Sequence, residues 1–329
     1  MAAINILNIE GNKVSRDLKG KYLLLYGEPK TGKTTFATQA PKALLVAFER
    51  GYNAIPGVKA IDVTTWDKFK QIVVQLRKPE ARELYDTIVI DTVGIAGDLA
   101  EQYVCAQNGV PSIDQVSYGQ GWGLLTKEMD KTFRSITMMG YGLIFLAHSK
   151  VKNIGTMDSE VLSYAPEMSK RTRGVVNGLV DVIGYIHQQF DEDGNSVRTL
   201  ITRETPLIKA GSRFKSLPSE IEFSYNHLVK ALSEAIEKDA GGTDFITDEP
   251  ISIELPEEKR PFSEAYNEAR ELWESIVLDE NGEIIEDEAR TLRSFINEVF
   301  GQPYRISEMV PVQQDLLEEV ILKMKEYIS

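Results

Sequence analysis

The chain has 329 residues, 42% of them hydrophobic, a single cysteine (Cys105) and a formal net charge of −13. That length fits one large domain plus a small one, with enough apolar side chains to build a core. One cysteine excludes an internal disulfide and a thiolate metal cluster, no apolar run approaches the ~20 residues of a membrane span, and no basic-then-apolar leader opens the sequence, so a cytoplasmic setting without membrane contact is expected. The charge is uneven. Residues 236–329 hold 24 acidic and 9 basic side chains, whereas residues 1–235 hold 26 and 28, which leaves the N-terminal part able to present a basic face.

Residues 1–20 are weakly patterned and predict a short irregular or strand-like lead-in. The apolar run Tyr22 to Tyr26 predicts a buried strand. It leads into Gly27-Glu28-Pro29-Lys30-Thr31-Gly32-Lys33-Thr34, which fits the phosphate-binding pattern G-x-x-x-x-G-K-[ST] at every fixed position, and Thr35-Phe36-Ala37-Thr38 continues it as helix. The two glycines let backbone N–H groups point inward as an anion nest, so residues 27–35 are the expected nucleotide-binding segment. Lys33 is placed to reach the β- and γ-phosphates of ATP, and the Thr34 hydroxyl to sit on Mg²⁺.

Ala43 to Phe48 predicts a second strand, closing on Glu49-Arg50-Gly51. In an open parallel sheet a ligand lies beyond the carboxyl ends of the strands, so Glu49 can orient the attacking water or accept its proton; the alternative is a solvated or Arg50-paired surface carboxylate. Trp66, Phe69, Ile72, Val73 and Leu76 recur at helical spacing and predict an amphipathic helix over 66–77 with Trp66 in the core. The strand Tyr85 to Ile90 ends in Asp91, where a carboxylate holds Mg²⁺ through water.

A helix is predicted over 95–107. Beyond a break at Gln107 to Ser112 comes Tyr118-Gly119-Gln120-Gly121-Trp122-Gly123, a glycine-rich segment able to present rings. Tyr118 is the stacking candidate, while Trp122 fits either a stacking platform or the core side of the helix that follows. The strand Gly142 to Ala147 ends at His148, a position able to sense a γ-phosphate or to serve as a packed core histidine. From Ser149 to Gly174 the sequence lacks sustained periodicity and predicts a long loop, with Lys150, Lys152, Lys170, Arg171 and Arg173 as contacts for a phosphate backbone.

Strands are expected at Val180 to His187 and Val197 to Thr202, and Lys209, Arg213 and Lys215 form a cationic cluster on an expected loop, as fingers into a neighbouring subunit or as a plain surface patch. A closing helix spans Tyr225 to Glu237. The organisation expected is an ATPase domain over 1–237, an acidic linker over 238–262 and an acidic helical module over 263–329.

With Lys33, Glu49, Asp91, His148 and the Lys209/Arg213 cluster in this order, the chain resembles a RecA-like P-loop ATPase, and more narrowly the phage ATPases of the single-strand annealing, RecA/RadA-related type. The resemblance also rests on Glu49-Arg50-Gly51, Tyr118-Gly119-Gln120-Gly121, Ala147-His148 and Tyr164-Ala165-Pro166-Glu167. It implies an α/β fold with a mostly parallel sheet flanked by helices, ATP hydrolysis with Mg²⁺ and single-stranded DNA held by segments 107–123 and 149–174. Its implied partners are further copies of the chain in a ring or filament and a single-strand-binding protein, in the cytoplasm of a phage host. The four-residue spacing of Lys209 and Arg213 departs from the tight Lys-x-Arg of such proteins, which leaves the acting cation open. Rival readings are a loader or assembly switch, and a nucleotide or small-molecule kinase.

Overall fold

The computed structural model describes residues 11, 13–16, 18, 20–154, 161–242, 244–247, 260–279 and 281–328. It divides into two compact units, Met1–Leu255 and Pro256–Ser329. Most of the expected lead-in and of the stretch expected as a linker lies outside the described residues.

In the first unit the strands are β1 (Val14–Ser15), β2 (Tyr22–Gly27), β3 (Ala43–Ala47), β4 (Ala60–Asp62), β5 (Thr87–Asp91), β6 (Gly142–Asn153), β7 (Leu162–Pro166), β8 (Val182–Phe190), β9 (Ser196–Ile201), β10 (Gly211–Ser212), β11 (Glu220–Glu222) and β12 (Ile246–Thr247). The helices are α1 (Lys33–Ala37), α2 (Trp66–Gln75), α3 (Pro79–Leu84), α4 (Val93–Gln107), α5 (Gly121–Met138), α6 (Lys170–Leu179) and α7 (Tyr225–Ala240). The main sheet runs β11-β9-β8-β2-β6-β5-β3-β4, with β10 added to β8 and β7 to β6. Its centre is parallel, β8, β2, β6, β5, β3 and β4 pairing in one direction, while β9, β11, β7 and β10 are antiparallel additions.

A sheet covered on both faces needs apolar side chains in both directions, which is why its central strands read as unbroken apolar runs. In β2, Leu24 and Tyr26 enter the core beneath α2, α4, α5 and α6, while Leu23 and Leu25 enter the opposite core with α1 and α7. Trp66 and Phe69 are buried with Phe133 and Phe145, ring centroids 5.0–6.0 Å apart. Helix starts follow local chemistry: Thr65, Ser169 and Ser224 accept from the backbone N–H groups of Lys68, Thr172 and His227.

The expected loop over 149–174 is a correction. Its described part is ordered: β6 runs on to Asn153 and pairs antiparallel with β7, and α6 begins at Lys170. The hairpin is half exposed and short, so its alternation was too weak to separate from a polar loop. Residues 155–160 lie outside the described set. Likewise, Gly211–Ser212 of the cationic cluster pairs with Ile183 and Val182 rather than forming a free loop.

The first unit extends past residue 237. Helix α7 reaches Ala240, and β12 pairs parallel with β1 through Val14↔Ile246 and Ser15↔Thr247. The second unit contains α8 (Phe262–Val277), α9 (Glu286–Phe300) and α10 (Gln314–Ile328), packed around Ala265, Ala269, Leu292, Ile296, Leu317 and Ile321.

Candidate nucleotide-binding site

The phosphate-loop pattern closes β2, between β6 and β8. Gly27 faces His148 in the register with β6 and Ile186 in that with β8. A Cβ at Gly27 would meet the Ile186 carbonyl at 2.9 Å, so only glycine lets the chain turn there. Lys30 and Gly32 take left-handed φ values of 67° and 89°, and a Thr31 hydroxyl bond to the Glu28 carbonyl (2.9 Å) closes the turn. Glu28, Pro29, Lys30 and Thr35 are exposed around it.

Lys33 is buried, and its ammonium donates to the carbonyls of Gly27 (3.0 Å) and Glu28 (2.7 Å). Burial pushes its pKa below the ordinary lysine value, against the pull of Asp91, Glu49 and Glu28. The Thr34 hydroxyl donates to Asp91 Oδ2 at 2.7 Å. Asp91 is itself buried at the tip of β5. Burial raises its pKa and Glu49 adds to the rise, while the Thr34 bond, Lys33 and His148 oppose it.

The β3 and β5 tips are joined, Phe48 and Glu49 N–H groups donating to the Asp91 carbonyl (2.6 and 3.2 Å). Glu49 therefore stands next to Asp91. Its carboxylate lies 3.2 Å from His148 Nε2, while Arg50 turns away to Asp62 at 3.2 Å, so Glu49 is not the Arg50-paired surface residue. His148 Nδ1 is buried and has no hydrogen-bond partner among the described residues. The structure thus brings Lys33, Thr34, Glu49, Asp91 and His148 together at the carboxyl ends of β2, β3, β5 and β6.

These residues fit a nucleoside triphosphate with Mg²⁺. The glycine cradle has room only for backbone, and the metal-facing donors are oxygens, the Thr34 hydroxyl and the Asp91 carboxylate. Among the described residues no cluster of three or more His, Cys, Asp or Glu exists to hold a metal. Two protein oxygens with the rest supplied by phosphates and water is how Mg²⁺ is held in such sites. Bound there, Mg²⁺ would neutralise charge on the β- and γ-phosphates.

One contact was not legible beforehand. Arg198 of β9 reaches across β8 and donates through Nη1 to the Thr31 carbonyl at 3.0 Å, and a Cβ on Gly32 would lie 2.7 Å from that nitrogen. An arginine in a polar strand tip carries no sequence signal; only the β8–β9 pairing brings it to the loop.

The remaining predicted residues lie elsewhere. Tyr118 is 98% exposed and held at a left-handed φ of 56°. Trp122 packs partly into the core, and the Arg171 guanidinium lies over its ring at 5.9 Å. Lys170 and Arg171 are exposed on the first turn of α6, and Lys150 and Lys152 on β6. Arg173 differs: it is half buried, donates through Nη2 to the Pro166 carbonyl (3.0 Å), and its Nε has no partner among the described residues. It is a structural residue of the β7–α6 turn rather than an open cation. Lys209 pairs with Glu204, and Arg213 with Asp181 at 3.0 Å, so both are held within the chain. Lys215 is exposed and makes no ion pair among the described residues.

A protein-family description, AAA domain, matches residues 19–214. The SPbeta prophage-derived uncharacterized protein YorG of Bacillus subtilis (strain 168) is 28% identical over 339 aligned residues, covering 99% of each chain. Among the described residues no helix is long and apolar enough to cross a membrane.

Proposed function

The chain belongs to the AAA domain family of P-loop ATPases, and on that premise we propose that it is a phage-encoded ATPase that binds single-stranded DNA and serves recombination or strand annealing. It works as a homo-oligomer, ring or filament, with a single-strand-binding protein as a further partner. The prophage relative supports the phage origin.

The observation that carries the DNA reading is the cluster at the start of α5 and α6. A fully presented ring, Tyr118, stands near a half-buried one, Trp122, which is capped by the exposed cation Arg171 with Lys170 beside it in sequence. Rings that stack on bases of any identity, together with cations on phosphates, give sequence-tolerant and salt-sensitive binding. Lys150 and Lys152, exposed on the β6–β7 hairpin, supply further cations for the phosphate backbone in this reading.

In hydrolysis Lys33 offsets charge on the phosphates and Glu49 accepts the proton of the attacking water. His148 Nε2 fixes the Glu49 carboxylate in place, and a change at the phosphate passes through this pair into β6 and its hairpin. The test is the ATPase rate with and without oligo-dT over a salt series. Stimulation that fades with salt is expected; a rate indifferent to DNA at every salt concentration would favour the assembly-switch reading.

A further inference from the structure

The C-terminal unit holds a cavity of about 1000 Å³ between α8, α9 and the segment joining α9 to α10. The sequence of this unit is strongly acidic, residues 256–329 carrying 18 acidic and 8 basic side chains. Most of the cations are neutralised in place: Arg260 by Glu268 and Glu318, Arg270 by Glu274, Arg290 by Asp287, Lys323 by Glu298 and Lys325 by Glu268. Among the described residues Arg293 and Arg305 are the exceptions: neither guanidinium makes an ion pair, and both line this cavity, whose other charged lining residues are Arg270 and Glu308.

The cavity is also aromatic. Tyr266 and Trp273 of α8 form one wall and Tyr304 the other. Tyr304 is fixed before any ligand arrives, stacked on Phe300 at 4.3 Å and donating its N–H to Asn297 Oδ1 at 3.1 Å. Two unspent arginine forks beside rigid rings have the composition of a recognition hot spot, since arginine binds carboxylates bidentately and aromatic rings offer apolar area at low entropic cost.

We propose that this cavity docks a short acidic peptide of a partner protein. An aromatic or large apolar side chain enters between Tyr266, Trp273 and Tyr304, and neighbouring carboxylates pair with Arg293 and Arg305. Charge decides between peptide and nucleic acid. A DNA strand brings a phosphate at every nucleotide and runs beyond the cavity onto a unit with 18 acidic and 8 basic side chains, whereas a short peptide confines its negative charge to the two arginines.

The full chain is titrated, by fluorescence anisotropy, against a labelled short peptide with two aspartates flanking a tryptophan, the same peptide with asparagines, and labelled oligo-dT. The acidic peptide is expected to bind, its asparagine form about tenfold or more weaker. The Arg293→Ala/Arg305→Ala variant should lose the acidic peptide by a similar factor. Arg293→Lys/Arg305→Lys, which keeps the charge without the fork, should fall between. Arg290→Ala, on the same helix but outside the cavity, should match wild type, and ATP hydrolysis should be unchanged throughout. The proposal is overturned by wild type ignoring the acidic peptide, by the double alanine variant binding it as well as wild type, or by that variant losing oligo-dT instead.

Discussion

Glu49 and His148 meet across the ends of β3 and β6, carboxylate to imidazole Nε2 at 3.2 Å, although the two strands are separated in the sheet by β5. The contact ties a candidate base to the strand that pairs directly with the phosphate-loop strand. Glu49→Gln keeps the shape but cannot take a proton, so ATP binding should persist while hydrolysis slows by ~10²-fold or more. His148→Ala should slow hydrolysis less, because the Glu49 carboxylate remains and loses only the contact that orients it. Fluorescent-nucleotide binding beside steady-state turnover checks both; loss of binding with turnover intact would make Glu49 a positioning residue.

Asp91 and Lys33 are buried charges whose pKa values are moved toward neutrality, Asp91 upward and Lys33 downward. The sign follows from linkage. With the folded-state pKa of Asp91 above the unfolded value, the folded state binds its proton more tightly, so stability falls as pH rises through the interval between the two and stays lower at neutral pH. Asp91→Asn should therefore abolish hydrolysis yet leave the Tm at neutral pH equal or higher, with the gain fading toward acid. Lys33→Met should likewise abolish turnover without lowering Tm. Circular-dichroism melts over a pH series test this, and a large loss of stability in either variant would contradict it.

Legibility followed burial. The runs at Tyr22 to Tyr26 and Thr87 to Asp91 belong to strands covered on both faces, so composition alone marked them, and the loop between β2 and α1 carries fixed glycine positions that its backbone conformation demands. The β6–β7 hairpin was missed because it projects beyond the doubly covered sheet, with Lys150, Val151 and Lys152 exposed. Arg173 reads as a surface cation in sequence because the carbonyl it serves, Pro166, becomes its neighbour only through the turn into α6.

The partnering of the cations changes which DNA-binding variants are informative. Replacing Arg173 removes a half-buried side chain and should cost stability, so it is a poor probe. Lys170→Ala/Arg171→Ala should instead weaken oligo-dT binding and flatten the salt dependence by about 1.4 in slope, near 0.7 per lost phosphate contact. Tyr118→Ala should weaken it by roughly 1–3 kcal/mol at every salt concentration, the signature of stacking. Removing residues 256–329, which spares the β1–β12 pairing, should leave DNA binding unchanged or tighter.

Among the finger candidates, Arg213 is held by Asp181, whose other oxygen accepts from the Tyr22 N–H at 2.9 Å. Arg213→Ala should lower Tm by loosening the start of β2 and β8. Lys215 has no such internal duty. If subunits meet head to tail, mixing Lys215→Ala with Lys33→Ala subunits should recover part of the lost turnover, because one mixed interface is then intact. A monomer at working concentration, by light scattering, would end this idea.

Arg198 supplies the last prediction. The hydrolytic groups stand on β3, β5 and β6, to one side of β2, and Arg198 stands on β9, to the other. Arg198 anchors the phosphate loop from that side through the Thr31 carbonyl at 3.0 Å, so it would act on a bound nucleotide by holding the loop in shape. Its loss should raise KM for ATP by about tenfold, on the order of 1.4 kcal/mol, and leave kcat within about twofold, because the groups that act in the transition state are untouched. Arg198→Lys should recover little, since the ammonium lacks the planar fork that reaches the Thr31 carbonyl. Inhibition by inorganic tripolyphosphate locates the effect: if it weakens as much as ATP binding, Arg198 acts through the phosphate loop, and if it holds while ATP weakens, Arg198 acts on the nucleoside. A drop in kcat at unchanged KM would place Arg198 in the chemical step and refute a role confined to binding.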